Sequence, residues 1–356
     1  MRMLWLLLLL SACTNVRVEE ESPSPLPAVE LRLSASEQLT LNVSIAEFDV
    51  SALSVRDDDA ALVEVRNLER RYLPYVLKQA LDESGYWGAV RVLPVADPGA
   101  EIILTGRVEE SNGTAMVLSI EVRDATGRLW TDKRYADRTG ELDYAADPHY
   151  RRDPFQDLYH AIANDMSHLL VSLSAEEAER IRETAALKFA GTLAPEVFGR
   201  YLRYSADGLL EIVALPAESD SLYAHVLRIR ESEHLFADSV DAHYESLYRQ
   251  LGPTYAWWRH YHYELTRGNE RLGEIDPTRG ATEGSWYAME RIYRTYRESK
   301  MNEDALRELN QSFDREARPL VTNIAGRVIK LDGSLADQYR AWRVLLEEIY
   351  RSETGL

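Results

Sequence analysis

Apolar and polar positions alternate at Leu39, Leu41, Val43 and Ile45, the period of a half-buried strand, and Ala46-Glu47-Phe48-Asp49 ends it. The period then changes. Leu62, Val65, Leu68, Tyr72, Val76 and Ala80 recur every three or four residues, which predicts an amphipathic helix over 60–84. Pro74 interrupts that run and predicts a kink or a fresh start near it. Ala89–Leu93 reads as a second strand, closed by Pro94. Ile102, Leu104, Gly106 and Val108 alternate up to Ser111-Asn112-Gly113-Thr114, a strong hairpin turn. Met116, Leu118, Ile120 and Val122 continue the alternation. Asp124-Ala125-Thr126-Gly127 then turns the chain into Leu129-Trp130. The predicted order over 38–140 is strand, helix, strand, strand, strand, forming a mixed sheet.

Residues 141–154 read as a linker, because Asp147-Pro148 and Asp153-Pro154 are turn signals. From 155 to 356 the period is helical throughout. Ser174, three residues before Glu177, predicts a capped start. Further helices are expected at 175–190, 194–206, 218–250, 254–267, 284–298, 302–330 and 335–352, with stops at Gly191, Gly208, Gly252-Pro253, Gly273 and Gly333. The fold class is therefore α+β: a small mixed-sheet domain followed by an all-helical domain.

The first residues carry an address. Arg2 precedes the apolar run Met3–Leu10, too short for the roughly 20 residues that span a bilayer, and Ser11-Ala12-Cys13 follows. Leu10-Ser11-Ala12-Cys13 resembles a bacterial lipobox. That resemblance implies removal of residues 1–12 and acylation of Cys13, the only cysteine in the chain. It also leaves no cysteine for an internal disulfide. Thr14 rather than Asp after the cysteine implies transfer to the outer membrane, with the body facing the periplasm. Residues 13–37 read as an acylated cysteine and disordered tether, since Glu19-Glu20-Glu21 and Pro23, Pro25 and Pro27 disfavour a packed core.

Ile102–Val108, the hairpin, and Asp124-Ala125-Thr126-Gly127-Arg128-Leu129-Trp130 resemble the periplasmic α/β domain of several envelope proteins. These are penicillin-binding-protein activators, the curli-export lipoprotein and the amino-terminal domain of the Tol-system propeller protein. The shared motifs are strand and turn chemistry, so they speak to fold and carry over no binding residues.

Composition adds constraints. With 45% hydrophobic and 28% charged residues the chain is ordinary globular material. Its net charge of −18 makes nucleic acid a poor partner. No Gly-x-Ser-x-Gly, His-Glu-x-x-His or phosphate-cradling pattern occurs, and no cofactor or metal is implied. Asp157/His160, Asp165/His168 and Glu231/His234 have the spacing that places an acid and a histidine on one helical face, most simply as surface ion pairs. The densest constellation is Trp257, Trp258, Arg259, His260, Tyr261, His262 and Glu264. It reads either as an interaction surface or as helical core.

The expected function is non-catalytic. The chain reads as a lipid-anchored assembly, scaffold or regulatory factor that binds another envelope protein or a peptidoglycan-associated component. The alternative is a periplasmic enzyme or glycan-binding protein using His160, His168, Glu231, His234, His260 or His262, which requires several of those groups to converge in one concave site.

Overall fold

The computed structural model describes residues 26–34, 40–53, 60–140, 143–144, 153–274, 304, 320–324 and 327–356. The signal segment, Cys13, most of the linker and the predicted 284–298 helix lie outside the described residues. The fold is α+β.

The predicted strand-helix-strand-strand-strand unit forms as read. Strands β1 (Val43–Ala46), β2 (Val90–Leu93), β3 (Ile102–Ser111), β4 (Ala115–Asp124) and β5 (Leu129–Arg138) make one mixed sheet in the order β2-β1-β3-β4-β5. β1 pairs parallel with β2 and β3, and β3-β4-β5 is an antiparallel meander. The alternation sorts the faces. Ile102, Leu104 and Val108 on β3 and Met116, Leu118, Ile120 and Val122 on β4 are buried. The opposite face carries polar pairs such as Arg134–Glu109 (2.6 Å) and Arg123–Glu121 (2.7 Å). This is the pattern of an antiparallel sheet with one wet face. Gly106 belongs to the buried face because a methyl group there would lie 2.6 Å from the Phe48 ring.

Helices α1 (Ala60–Ser84) and α2 (Gln156–Val171) cover the apolar face. Pro74 lies inside α1, which continues through it. α3 (Ala175–Leu193) starts on the predicted cap: Ser174 accepts from the Glu177 amide and Glu177 returns the bond. A short turn α4 (Pro195–Phe198) follows, then α5 (Ser221–Glu274) and α6 (Leu335–Thr354).

Three readings of the second half are corrected. Residues 194–206 are not one helix. After α4 the chain forms the hairpin β6 (Leu202–Tyr204) and β7 (Leu210–Ile212). Residues 320–331 form a second hairpin, β8 (Leu320–Ile324) and β9 (Arg327–Leu331), so this half is not all-helical. The Gly252-Pro253 stop does not operate either: α5 runs through Pro253 for 54 residues, about 80 Å at 1.5 Å per residue. Leu247, Leu251, Tyr255 and Trp258 on either side are buried. Burying them, at about 1.5–3 kcal/mol each, outweighs the roughly 3 kcal/mol cost of an interior proline.

The linker does not separate two cores. Buried apolar residues run without a break from the sheet through α1 and α2 to α3, α5 and α6. α5, with Lys78 of α1, closes the free edge of β2. Asp241 Oδ1 accepts from the Val92 amide (2.7 Å), and Lys78 Nζ donates to the Val90 carbonyl (2.5 Å). Covering an edge strand in this way removes its pairing liability.

Candidate functional site

The β3–β4 tip defines one pole of the molecule. Asn112 Oδ1 accepts from the Thr114 and Ala115 amides and shapes the turn (2.7 and 2.8 Å). Gly113 presses on the α5 backbone, where a methyl group would sit 2.7 Å from the Arg259 carbonyl oxygen. The hairpin tip is therefore a docking contact rather than a free loop.

Behind the tip lies a buried polar cluster. Glu69 accepts from Ser111 Oγ (2.5 Å), from Tyr255 OH (2.7 Å) and from Arg66. Arg259 donates to Tyr255 OH (2.5 Å), and its guanidinium lies 4.7 Å from the Phe155 ring centre. Arg259 is wholly buried, and among the described residues its Nε and Nη1 have no hydrogen-bond partner. A buried ion cluster of this kind is costly to break from one side.

The predicted aromatic surface divides accordingly. Trp258 and Arg259 are core, which corrects their reading as surface residues: Trp258 stacks on Tyr255 (5.7 Å) and is buried. Trp257 and Glu264 are exposed. His260, Tyr261 and His262 are half-buried, with His260 edge-on to Tyr144 (5.4 Å) and His262 against Trp258 (4.4 Å). Trp257, Tyr261 and Glu264 share one outward face.

The acid–histidine pairs do not assemble a site together. Asp157 and His160 do share a face, but what they hold is the chain's own backbone at Val29. Asp157 accepts from its amide (2.7 Å), and a His160 ring nitrogen lies 2.7 Å from its carbonyl. Asn164 bonds Arg32 N and the Glu30 carbonyl (2.7 and 2.8 Å), and Asp137 accepts from the Leu26 amide (2.9 Å). Residues 26–34 are thus a strap along α2, which corrects their assignment to the disordered tether. Asp165 bonds Tyr135 OH (2.8 Å) and Lys133 (2.6 Å), while His168 is exposed. Glu231 is exposed, and His234 lies elsewhere beside β2. The convergence demanded by the enzyme alternative is not formed by these residues.

A buried acid escaped the sequence patterns. Between α5, α6 and the loop from β2 to β3, Glu233 is buried and accepts from Tyr339 OH (3.0 Å). Ser44, Asp97, Arg230 and His234 line the same small cavity. Burial, aided by Asp97, pushes the Glu233 carboxyl up to about 7. Burial and the neighbouring Arg230 and Arg91 push His234 down to about 4. The acid–x–x–His spacing selects Glu231, whereas the perturbed acid is Glu233 on the inner face. Among the described residues no group of three or more His, Cys, Asp or Glu is placed to hold a metal ion.

The opposite pole carries a cleft of about 670 Å³. The β4–β5 turn, α3 and the β6–β7 hairpin line it, and the Leu210 amide donates to the Thr126 carbonyl (2.8 Å). Tyr204, Val213 and Leu215 are exposed there by 70%, 54% and 50%. Glu177, Glu183, Asp207 and Glu211 line it together with Arg128 and Arg180, and Arg128 pairs with Glu177 (3.4 Å).

No family model matches the chain, and no curated protein does. Among solved structures it is similar to a dodecamer of a PelC variant from Paraburkholderia phytofirmans, at 15% identity over 40% of this chain and 98% of that one, with a TM-score of 0.25. A likeness of that size decides nothing about this chain.

Proposed function

We propose that this chain is a lipid-anchored, periplasm-facing protein of the outer membrane that binds another envelope component without catalysing a reaction. The observation that carries the reading is the strap. Residues 26–34, downstream of the lipobox-like Cys13, are bonded along α2, and Leu26 lies beside the hairpin pole. An acyl anchor at Cys13 would then leave the far pole presented to the periplasm. That pole holds the exposed Tyr204, Val213 and Leu215 and a cleft in which acids outnumber bases. It complements a protein segment with apolar side chains flanked by Lys or Arg.

Two measurements test this. Labelled palmitate should enter the wild-type chain and float it with outer membranes, and Cys13→Ser should abolish both. A photo-crosslinker at Tyr204 should capture an envelope protein in intact cells, and one at the exposed Arg134 on the sheet's wet face should not. Palmitate-free flotation, or equal capture from both positions, would overturn the reading.

A further inference from the structure

The seat of the strap is itself a recognition surface. We infer that the α2 row Asp157, His160 and Asn164 is a receptor for extended polypeptide, which residues 26–34 occupy in cis and which a partner's extended segment occupies once the strap is displaced. That segment carries leucine-sized side chains at its first and sixth positions and a free amide at its fourth.

The receptor reads main chain. Asp157, His160 and Asn164 recur at three and four residues and share one face of α2. Asp157 accepts from the Val29 amide (2.7 Å). His160 Nδ1 lies 2.7 Å from the Val29 carbonyl oxygen, which only accepts, so Nδ1 carries the proton. Asn164 uses both ends of its amide: Oδ1 accepts from the Arg32 amide (2.7 Å) and Nδ2 donates to the Glu30 carbonyl (2.8 Å). From Asp157 to Asn164 the helix rises about 10.5 Å. The three residues from Val29 to Arg32 span about 10 Å when extended. The row is therefore spaced to follow an extended chain. Asp137 and Tyr86 hold the two ends, at the Leu26 amide (2.9 Å) and the Leu33 carbonyl (3.3 Å).

Most side chains of the strap stay outside this seat. Pro27, Ala28, Glu30, Arg32 and Leu33 are exposed, Leu33 by 64%. Leu26 and Leu31 are half-buried and pack on the core. Recognition through the main chain accepts many sequences, and the two apolar positions set the preference, as in sites that bind peptides by strand addition. The strap prevails because it belongs to the same chain and is present at a high effective concentration. Weakening it in cis opens the seat to a segment in trans in the same proportion.

The test titrates a fluorescein-labelled peptide of residues 26–34 against the full chain by fluorescence anisotropy. In a Val29→Pro chain the strap has lost the N–H that donates to Asp157, while α2 is untouched. That chain is expected to bind the peptide about tenfold tighter than wild type, the factor a bond to a carboxylate supplies. Leu26→Ser with Leu31→Ser weakens the strap without a proline and should open the seat likewise. Adding Asn164→Ala should remove most of the gain, and a peptide that itself carries Val29→Pro should bind about tenfold more weakly. A peptide with alanine at positions 27, 30, 32 and 33 should bind within about threefold of the parent. Urea midpoints establish that each chain is folded. No saturable binding to either folded, opened chain, binding indifferent to Asn164→Ala, or loss of binding by the alanine peptide would overturn the inference. None of these readouts involves Cys13 or the far-pole cleft, so such a failure leaves the proposed anchor and docking face standing.

Discussion

Gly113 meets Tyr263 with no room for a side chain between them. A methyl group on Gly113 would fall inside contact distance of the Tyr263 amide nitrogen and 2.6 Å from the His262 carbonyl carbon. The hairpin tip of the sheet and the middle of the long helix are fixed to each other at that point. Tyr144 ties the same spot, donating to the Gly113 carbonyl (2.6 Å) and packing on the Tyr263 ring (4.4 Å).

Gly113→Ala should therefore push the tip off α5 and destabilise the protein by about 1–3 kcal/mol, the range for overpacking. Gly191→Ala is the control, since nothing lies within 4 Å of an added methyl group there. Urea midpoints should fall for the first and hold or rise for the second.

Trp257 and Trp258 should separate. Trp258→Ala empties a buried site and should cost about 3–5 kcal/mol. Trp257→Ala removes a partly exposed ring and should leave thermal stability nearly unchanged. Arg259→Ala should behave like Trp258→Ala, because it strips a buried cation from Glu69 and Tyr255, a loss of about 3–5 kcal/mol.

Glu233 and His234 should impose opposing pH dependences. Glu233 titrates near 7 when folded against an ordinary 4.5, so between those values the native state holds the extra proton. Stability then falls as pH rises through that window. His234 titrates near 4 when folded against 6.5, so the unfolded state holds the extra proton and stability rises with pH over that range. Glu233→Gln should leave a profile that rises towards pH 6.5 and should stabilise above pH 7, by at most about 3 kcal/mol. His234→Gln should leave a profile that falls from pH 4.5 to 7. Denaturant titrations across pH 4–8 read both.

Asp157→Ala with His160→Ala should release the strap. Two of its backbone anchors at Val29 are lost, at about 0.5–1.5 kcal/mol each. Proteases should then cut within 26–34 much faster, with the remainder of the fold intact. Unchanged cutting would show that the strap is held elsewhere.

The sheet unit was legible because its signals are local. Alternation at 102–108 and 116–122, with Asn112-Gly113 between, fixes faces and register without reference to the remainder of the chain. Ser174 and Glu177 marked the start of α3 for the same reason. The β6–β7 hairpin was missed although Asp207-Gly208 is a turn signal, because its three-residue strands are too short to show a period. Gly252-Pro253 misled because a local breaker was outweighed by buried partners from α1, such as Tyr72 stacked near Tyr248 (5.0 Å) and Tyr255 (4.6 Å).

The sequence by itself determined the succession of strands and helix along the first half, the apolar face of the sheet and the α+β class. Each rests on residues adjacent in the chain or repeating at a fixed period. Tertiary structure alone decided the rest. Asp157 and His160 hold Val29, Glu233 is buried while Glu231 is exposed, and Trp258 and Arg259 lie inside while Trp257 lies outside. Spacing along a helix says which side chains share a face. It does not say what that face meets, and contact with distant chain sets burial, hydrogen bonding and proton affinity.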